Sequence, residues 1–155
     1  MKTRSFLIAA LALVIVVACS KDDENKLAPN TGAYTVSGDT SYTINGAAAV
    51  TFVGDTLAGV VITSTNGVTL AVNIKNTNVK SSSTYSVNNN GVTDNRESNT
   101  NLQDGSNTAF SGINGTIRVD EGSASDFQGE IRNMTMENFV GETITVNGSF
   151  RASSN

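Results

Sequence analysis

The sequence predicts an all-β fold, either an antiparallel β-sandwich or a calycin-like, up-and-down barrel of about 8–10 strands. Three observations carry that expectation. Asn, Thr and Ser number 19, 19 and 17 against a single Pro, and their side chains compete with the backbone inside helices while suiting turns and half-wet strands. Apolar residues recur with period 2, most clearly where Val68, Leu70, Val72 and Ile74 alternate with Thr69, Ala71, Asn73 and Lys75. Asn-Gly pairs at 45–46, 66–67, 90–91, 114–115 and 147–148 punctuate the chain at the spacing of short strands.

Taken in order, these patterns predict strands over 33–37, 40–45, 48–53, 57–65, 68–75, 84–87, 108–113, 115–120, 126–137 and 142–151. The pairs at 45–46 and 114–115 read as turns between neighbouring strands, and 90–91 as part of a loop. Residues 57–65 are apolar on both faces, through Leu57, Val60, Val61 and Ile62, which predicts a central strand. Asn66-Gly67 between two apolar runs predicts a tight hairpin with a type I′ turn. Inside 126–137 the inward set switches from Phe127 and Ile131 to Met134 and Met136, the mark of a bulge. Ile144, Val146 and Phe150 leave Gly148 in an inward slot, which predicts a bulge or a close backbone approach. Residues 88–107 carry almost no apolar side chains and read as one long polar loop.

The first 18 residues do not belong to this pattern. Lys2 and Arg4 precede a 13-residue apolar run, Phe6 to Ala18, too short for the roughly 20 residues a membrane span requires and typical of a cleaved signal peptide. Its end, Val16-Val17-Ala18-Cys19, resembles the bacterial lipobox, in which small residues precede a cysteine that takes a diacylglyceryl group. The resemblance implies removal of residues 1–18, lipidation of Cys19 and a mature chain held in a membrane by acyl chains such as palmitate. Two or three chains suffice for durable attachment, at about 0.8 kcal/mol per buried methylene.

Ser20-Lys21-Asp22-Asp23-Glu24 then resembles the acidic export signal that sends lipoproteins of the Bacteroidota to the outer face of the outer membrane. Cell-surface display is the expected address, with a periplasmic-facing lipoprotein as the alternative. Residues 19–31 form an anchor, signal and tether, and 32–155 a single β domain. The ending, with Gly115-Thr116-Ile117, Gly129, Gly141-Glu142-Thr143-Ile144-Thr145-Val146 and Gly148-Ser149-Phe150, resembles small uncharacterised lipoproteins of the same bacteria. That resemblance implies a β-rich fold and supplies no catalytic residue.

Composition removes several chemistries. The chain has no His, one Cys and a net charge of −4, so it lacks the ligands of an ordinary zinc site, a His-dependent triad and the basic patch that would track nucleic acid. No Ser sits in a Gly-x-Ser-x-Gly elbow. Asp120, Asp126, Glu130, Glu137 and Glu142 are the carboxylates from which a glycosidase pair would have to come; as surface charges they would form cross-strand pairs with Arg118 and Arg132. Asp94, Glu97 and Asp104 are hard-oxygen ligands for Ca²⁺ without the spacing of a known loop. Glycan platforms use exposed aromatics, whereas the only tyrosines are Tyr34, Tyr42 and Tyr85 and most Phe residues fall on apolar strand faces. Asp55-Thr56-Leu57 matches an O-glycosylation acceptor of these bacteria at Thr56. The expectation is a non-enzymatic binding or interaction module without cofactor or metal, tied to a membrane and meeting a surface protein or glycan. The alternatives are a structural envelope component and a weak glycan- or Ca²⁺-binding accessory protein.

Overall fold

The computed structural model describes residues 27–39, 41–54, 57–75, 83–89, 97–106 and 108–154, and every regular element among them is a strand. The strands are β1 (Thr31–Gly38), β2 (Tyr42–Val53), β3 (Leu57–Ser64), β4 (Thr69–Lys75), β5 (Ser83–Val87), β6 (Glu97–Gln103), β7 (Ala109–Gly122), β8 (Phe127–Asn138) and β9 (Thr143–Ala152). They close into a barrel in the order β1-β2-β3-β4-β6-β5-β7-β8-β9, and β9 returns to β1 from Thr31 opposite Arg151 to Gly38 opposite Ile144. Closure decides for the barrel over the sandwich and leaves no long edge open to pairing with other chains.

Neighbours run antiparallel except at one seam. There β5 meets β6 in parallel at Ser86–Glu97 and Val87–Ser98, while β6 and β7 pair with each other directly beyond it, at residues 101–103 with 109–111. β5 is therefore a short wedge between two strands that form their own hairpin at one end.

The alternation read from the sequence becomes the wall of this barrel. Ala58, Val60 and Ile62 face Ile74, Val72 and Leu70 across β3 and β4, and all six are fully buried. Burying each of the larger ones contributes about 1.5–3 kcal/mol relative to leaving it in water. Phe127 stacks on Phe150 at 5.9 Å and meets Phe52 edge-on at 5.8 Å, packing one end of the interior.

The irregular positions lie where two of the sequence signals predicted them. Gly148 sits against Tyr34, and a Cβ there would lie 2.4 Å from both the Ala33 carbonyl and the Tyr34 Cβ, so the close approach is real. Between Ile131 and Met134 the β8–β9 register slips. Asn133 takes φ 47°, and its N–H donates to Asn147 Oδ1 at 2.7 Å.

Five expectations are corrected. The pairs at 45–46 and 114–115 lie inside strands: β2 and β7 each run unbroken through the stretch read as two strands. Gly46 is packed so close to β3 that a Cβ would meet the Thr63 carbonyl at 2.4 Å; Gly115, at φ 126°, forms a bulge opposite β8. The 66–67 hairpin is not type I′, because only Gly67 has positive φ, at 83°. Its Gly67 N–H donates to the Ser64 carbonyl at 3.1 Å, and Ser64 and Val68 pair beyond it, the three-residue form with a glycine bulge. β3 is not central: a closed barrel gives it one wet face, where Val61 is 41 % exposed. Finally, 97–103 within the expected loop is β6. Its inward residues are Ser98, Thr100 and Leu102, because the wall is tight where β5 wedges in: a Cβ on Gly112 would meet Thr100 Oγ1 at 2.0 Å and Val87 Cγ1 at 2.7 Å.

Candidate functional site

The two ends of the barrel differ in what they carry. At the first, called here the terminal pole, the chain enters through Leu27–Asn30 and leaves through Ser153 and Ser154, beside the β7–β8 turn. At the far pole lie the β1–β2, β3–β4, β6–β7 and β8–β9 turns, the first and last of them joined by Thr143 N–H donating to Asp39 Oδ2 at 2.9 Å.

The terminal pole is latched. Asn30, at φ 57°, a conformation Asn tolerates, accepts from the Ser153 N–H at 2.8 Å and the Ser153 hydroxyl at 2.7 Å. Its own carbonyl accepts from Ala48 N–H at 2.9 Å, and Ser154 N–H donates to the Ala124 carbonyl at 2.8 Å. Arg151 projects outward from β9 and donates to both oxygens of Asp126, at 2.9 and 3.0 Å, with a third bond to the Leu27 carbonyl at 3.3 Å. Hydrogen bonding to the Asp126 carboxylate holds the Arg151 guanidinium above its ordinary pKa, so it stays charged.

Among the described residues, three open hollows lie around this pole. One of about 580 Å³ lies between residues 49–52 with Gly54 and the pair Ala124 and Ser154; one of about 280 Å³ lies over Ala47–Ala49, Val61 and Thr63. Both are lined by uncharged residues. The third, of about 440 Å³, includes Leu27, Asp120, Glu130 and Arg151.

That third hollow brings together two of the five carboxylates considered for acid–base work. Each is engaged by its own arginine along its own strand: Arg118 with Asp120 at 2.9 Å, and Arg132 with Glu130. The cross-strand pairing expected for these charges is thus replaced by i, i+2 pairs, although Arg118 and Glu130 do stand opposite in register. Asp126 belongs to the latch, and Glu142 accepts from Asn138 Nδ2 at 2.6 Å. The Ca²⁺ candidates do not converge either. Glu97 begins β6 and Asp104 follows its end, roughly 23 Å apart at about 3.3 Å per residue, and Asp94 lies outside the described residues. Asp104 instead orders the β6–β7 turn, accepting from Ser106 N–H at 2.9 Å, its hydroxyl at 2.8 Å and Thr108 N–H at 2.8 Å. Burial pushes this carboxyl up, but those hydrogen bonds outweigh it and hold its pKa below the usual range. Among the described residues, no three His, Cys, Asp or Glu group as metal ligands do.

The barrel interior is filled by side chains. Residues on every side of it, including Val60, Leu70, Thr100, Ile117 and Met134, have no surface accessible to water. Among the described residues, four hydroxyls are buried there without a hydrogen-bond partner: Tyr34, Tyr42, Ser98 and Thr100. Burial and then the neighbouring Tyr42 push the Tyr34 phenol far up, and burial and then Asp104 push Tyr42 up, so both stay neutral. Tyr34 and Tyr85 are buried and offer no platform to a sugar.

Of the residues singled out by sequence, Cys19, Ser20, Lys21, Asp22, Asp23, Glu24 and Thr56, together with the signal segment 1–18, lie outside the described residues. The latch was not foreseen. Its one legible signal is phase: period 2 along β9 puts Arg151 on the outer face, beside the start of β8. Compared with protein-family models, curated proteins and solved structures, the chain matches none.

Proposed function

We propose that this protein is a lipid-anchored module of the outer membrane, displayed at the cell surface, that acts by binding through its outer surface and catalyses no reaction. The observation that carries the reading is the lipobox-like Val16-Val17-Ala18-Cys19 with the acidic run after it, and the latch gives it an orientation. Leu27 lies eight positions after Cys19, a reach of at most about 28 Å, and Leu27 is tied to the terminal pole by Arg151. A lipid on Cys19 would therefore hold the barrel close to the bilayer with its terminal pole inward and its far pole outward.

Two further features support a binding role. The interior is packed, leaving the outer surface as the place for a ligand. The paired carboxylates sit at that surface already engaged by arginines, where an acid–base couple would need one free partner.

The test is fractionation of cells producing the full chain and its Cys19→Ala variant. Wild type is expected in the outer-membrane fraction with incorporated palmitate label, and the variant in the soluble fraction; a variant that still sediments with membranes overturns the anchor. Protease shaving of intact cells tests display, since digestion only after lysis would put the barrel on the periplasmic side. A Thr56→Ala change is expected to remove added glycan mass, and an unchanged mass refutes modification there.

A further inference from the structure

The far pole carries a feature that the fold does not use. In the β8–β9 turn Phe139 is 91 % exposed and Val140 63 % exposed. Central turn positions ordinarily take Asp, Asn, Ser or Gly, and these two side chains contribute little to the core. The turn beneath them is heavily braced. Asn138, only 6 % exposed, accepts through Oδ1 from Val140 N–H at 3.1 Å and Glu142 N–H at 2.9 Å. Its amide donates to the Glu142 carboxylate. Asn138 N–H donates to the Glu142 carbonyl and Gly141 N–H to the Asn138 carbonyl, both at 3.1 Å, with Gly141 at φ 88°. An apolar knob is thus held on an ordered support, so a partner would not have to order it on binding.

The surroundings give the partner a chemistry. The described residues of this pole include four carboxylates, Asp39, Asp104, Glu137 and Glu142, and no Lys or Arg; the described cations Lys75, Arg118, Arg132 and Arg151 all lie toward the middle or the terminal pole. An acidic rim disfavours an anionic bilayer and a second copy of the same pole, and favours a cationic counterpart. Two adjacent side chains projecting from a hairpin fit a pocket better than a flat face, and a buried aromatic anchor ringed by polar contacts is how binding energy concentrates at protein interfaces.

We propose that the β8–β9 turn is the docking knob of this module, inserting Phe139 and Val140 into an apolar pocket, rimmed by Lys or Arg, on a partner protein. The proposal rests on the anchored-display reading only for the direction in which the far pole faces. To test it, the full chain is produced in its own cells with a photoreactive residue in place of Val140, beside an intact Phe139, or in place of Val53, which is exposed at the terminal pole. The protein cross-linked is identified, purified and titrated with wild type, Phe139→Ser and Cys19→Ala.

The expected result is an adduct with one protein from position 140 and none from 53. Affinity should then fall about 10-fold or more with Phe139→Ser, and fall again as salt rises from about 0.05 to about 0.5 M. Cys19→Ala should bind the purified partner as tightly as wild type, so a failed anchor and a failed knob read differently. The proposal is overturned if no adduct forms, if both positions give the same adduct, if the adduct is a second copy of this chain, or if Phe139→Ser, confirmed as folded by an unchanged Tm, binds as well as wild type. Phe139-dependent binding to vesicles of phosphatidylethanolamine and phosphatidylglycerol, in place of a protein adduct, overturns it in favour of a membrane.

Discussion

The wall formed by β2, β3 and β4 and the wall formed by β7, β8 and β9 meet the same demand inside the barrel and answer it differently outside. In the first, the ladders run from Gly46–Ser64 to Val53–Leu57 and from Leu57–Lys75 to Thr63–Thr69 without a break. Its outer face is built from residues such as Ala47, Ala49, Val61 and Ala71, with Lys75 the one charge among these three strands. In the second, the registers slip at Gly112–Thr116, Val119–Glu121 and Ile131–Met134, and the outer face carries Arg118, Asp120, Glu130, Arg132 and Arg151. The difference teaches that regularity and charge are separable: an even ladder can present a bland surface, while bulges re-aim strands that carry most of the ion pairs.

The regular wall should be the less forgiving of lost volume. Ile62, fully buried and filling the space left by the missing side chain of Gly32, should cost about 3–4 kcal/mol as Ile62→Ala in urea unfolding, the size of a cavity that cannot collapse. A cost below about 1 kcal/mol would mean that the wall relaxes.

Glycine substitutions sharpen the contrast. Gly115 has φ 126° and a Cβ there would lie 2.5 Å from the Met134 Cα, so Gly115→Ala should lower stability by about 2–3 kcal/mol. A Cβ at Gly59 in the regular wall would meet only the rotatable Asn73 Oδ1 at a tight 3.2 Å, which a small rotation of that side chain relieves. Gly59→Ala should be neutral or stabilising by up to about 0.5–1 kcal/mol, acting through the unfolded chain. Equal losses at both positions would erase the distinction between the walls.

At the seam between the walls, Asp104 supplies a pH dependence. Its folded pKa lies below the ordinary value, so its contribution is fully present above the unfolded aspartate pKa and is lost as pH falls toward the folded one. Asp104→Ala should cost about 1 kcal/mol at pH 7, and the gap in Tm between variant and wild type should narrow on acidification below about pH 4. A gap that stays constant would assign the loss to packing. The smallest effect belongs to the charged wall: a double-mutant cycle on Arg118 and Asp120, both well exposed, should give a coupling of about 0.2–1 kcal/mol that fades with salt.

The same division governs what could be read from the sequence. β4 and β9 were legible because one face is apolar and the other polar, and β3 as an apolar run whose outward Val61 misled as to its place. β6 was not, because the wedge of β5 demands small side chains inside, and Ser98 and Thr100 satisfy volume while breaking the apolar pattern. Two Asn-Gly pairs misled because glycine also serves close packing of strands, at Gly46, and a bulge, at Gly115. The latch was hidden because its partners, Asn30, Asp126, Arg151 and Ser153, are polar residues whose meeting depends on closure of the barrel. Phe139 falls between the predicted strands 126–137 and 142–151, where period 2 assigns no side.

Closure has a consequence in time. The β1–β9 ladder pairs Thr31 with Arg151, so the first strand must wait for the last, and contacts between such distant segments form slowly. β2, β3 and β4 can pair as successive hairpins as soon as they are made, but the seam between β1 and β9 can seal only once the last strand is present. Until then both strands expose a pairing edge, and a chain shortened by its final strand would never lose it.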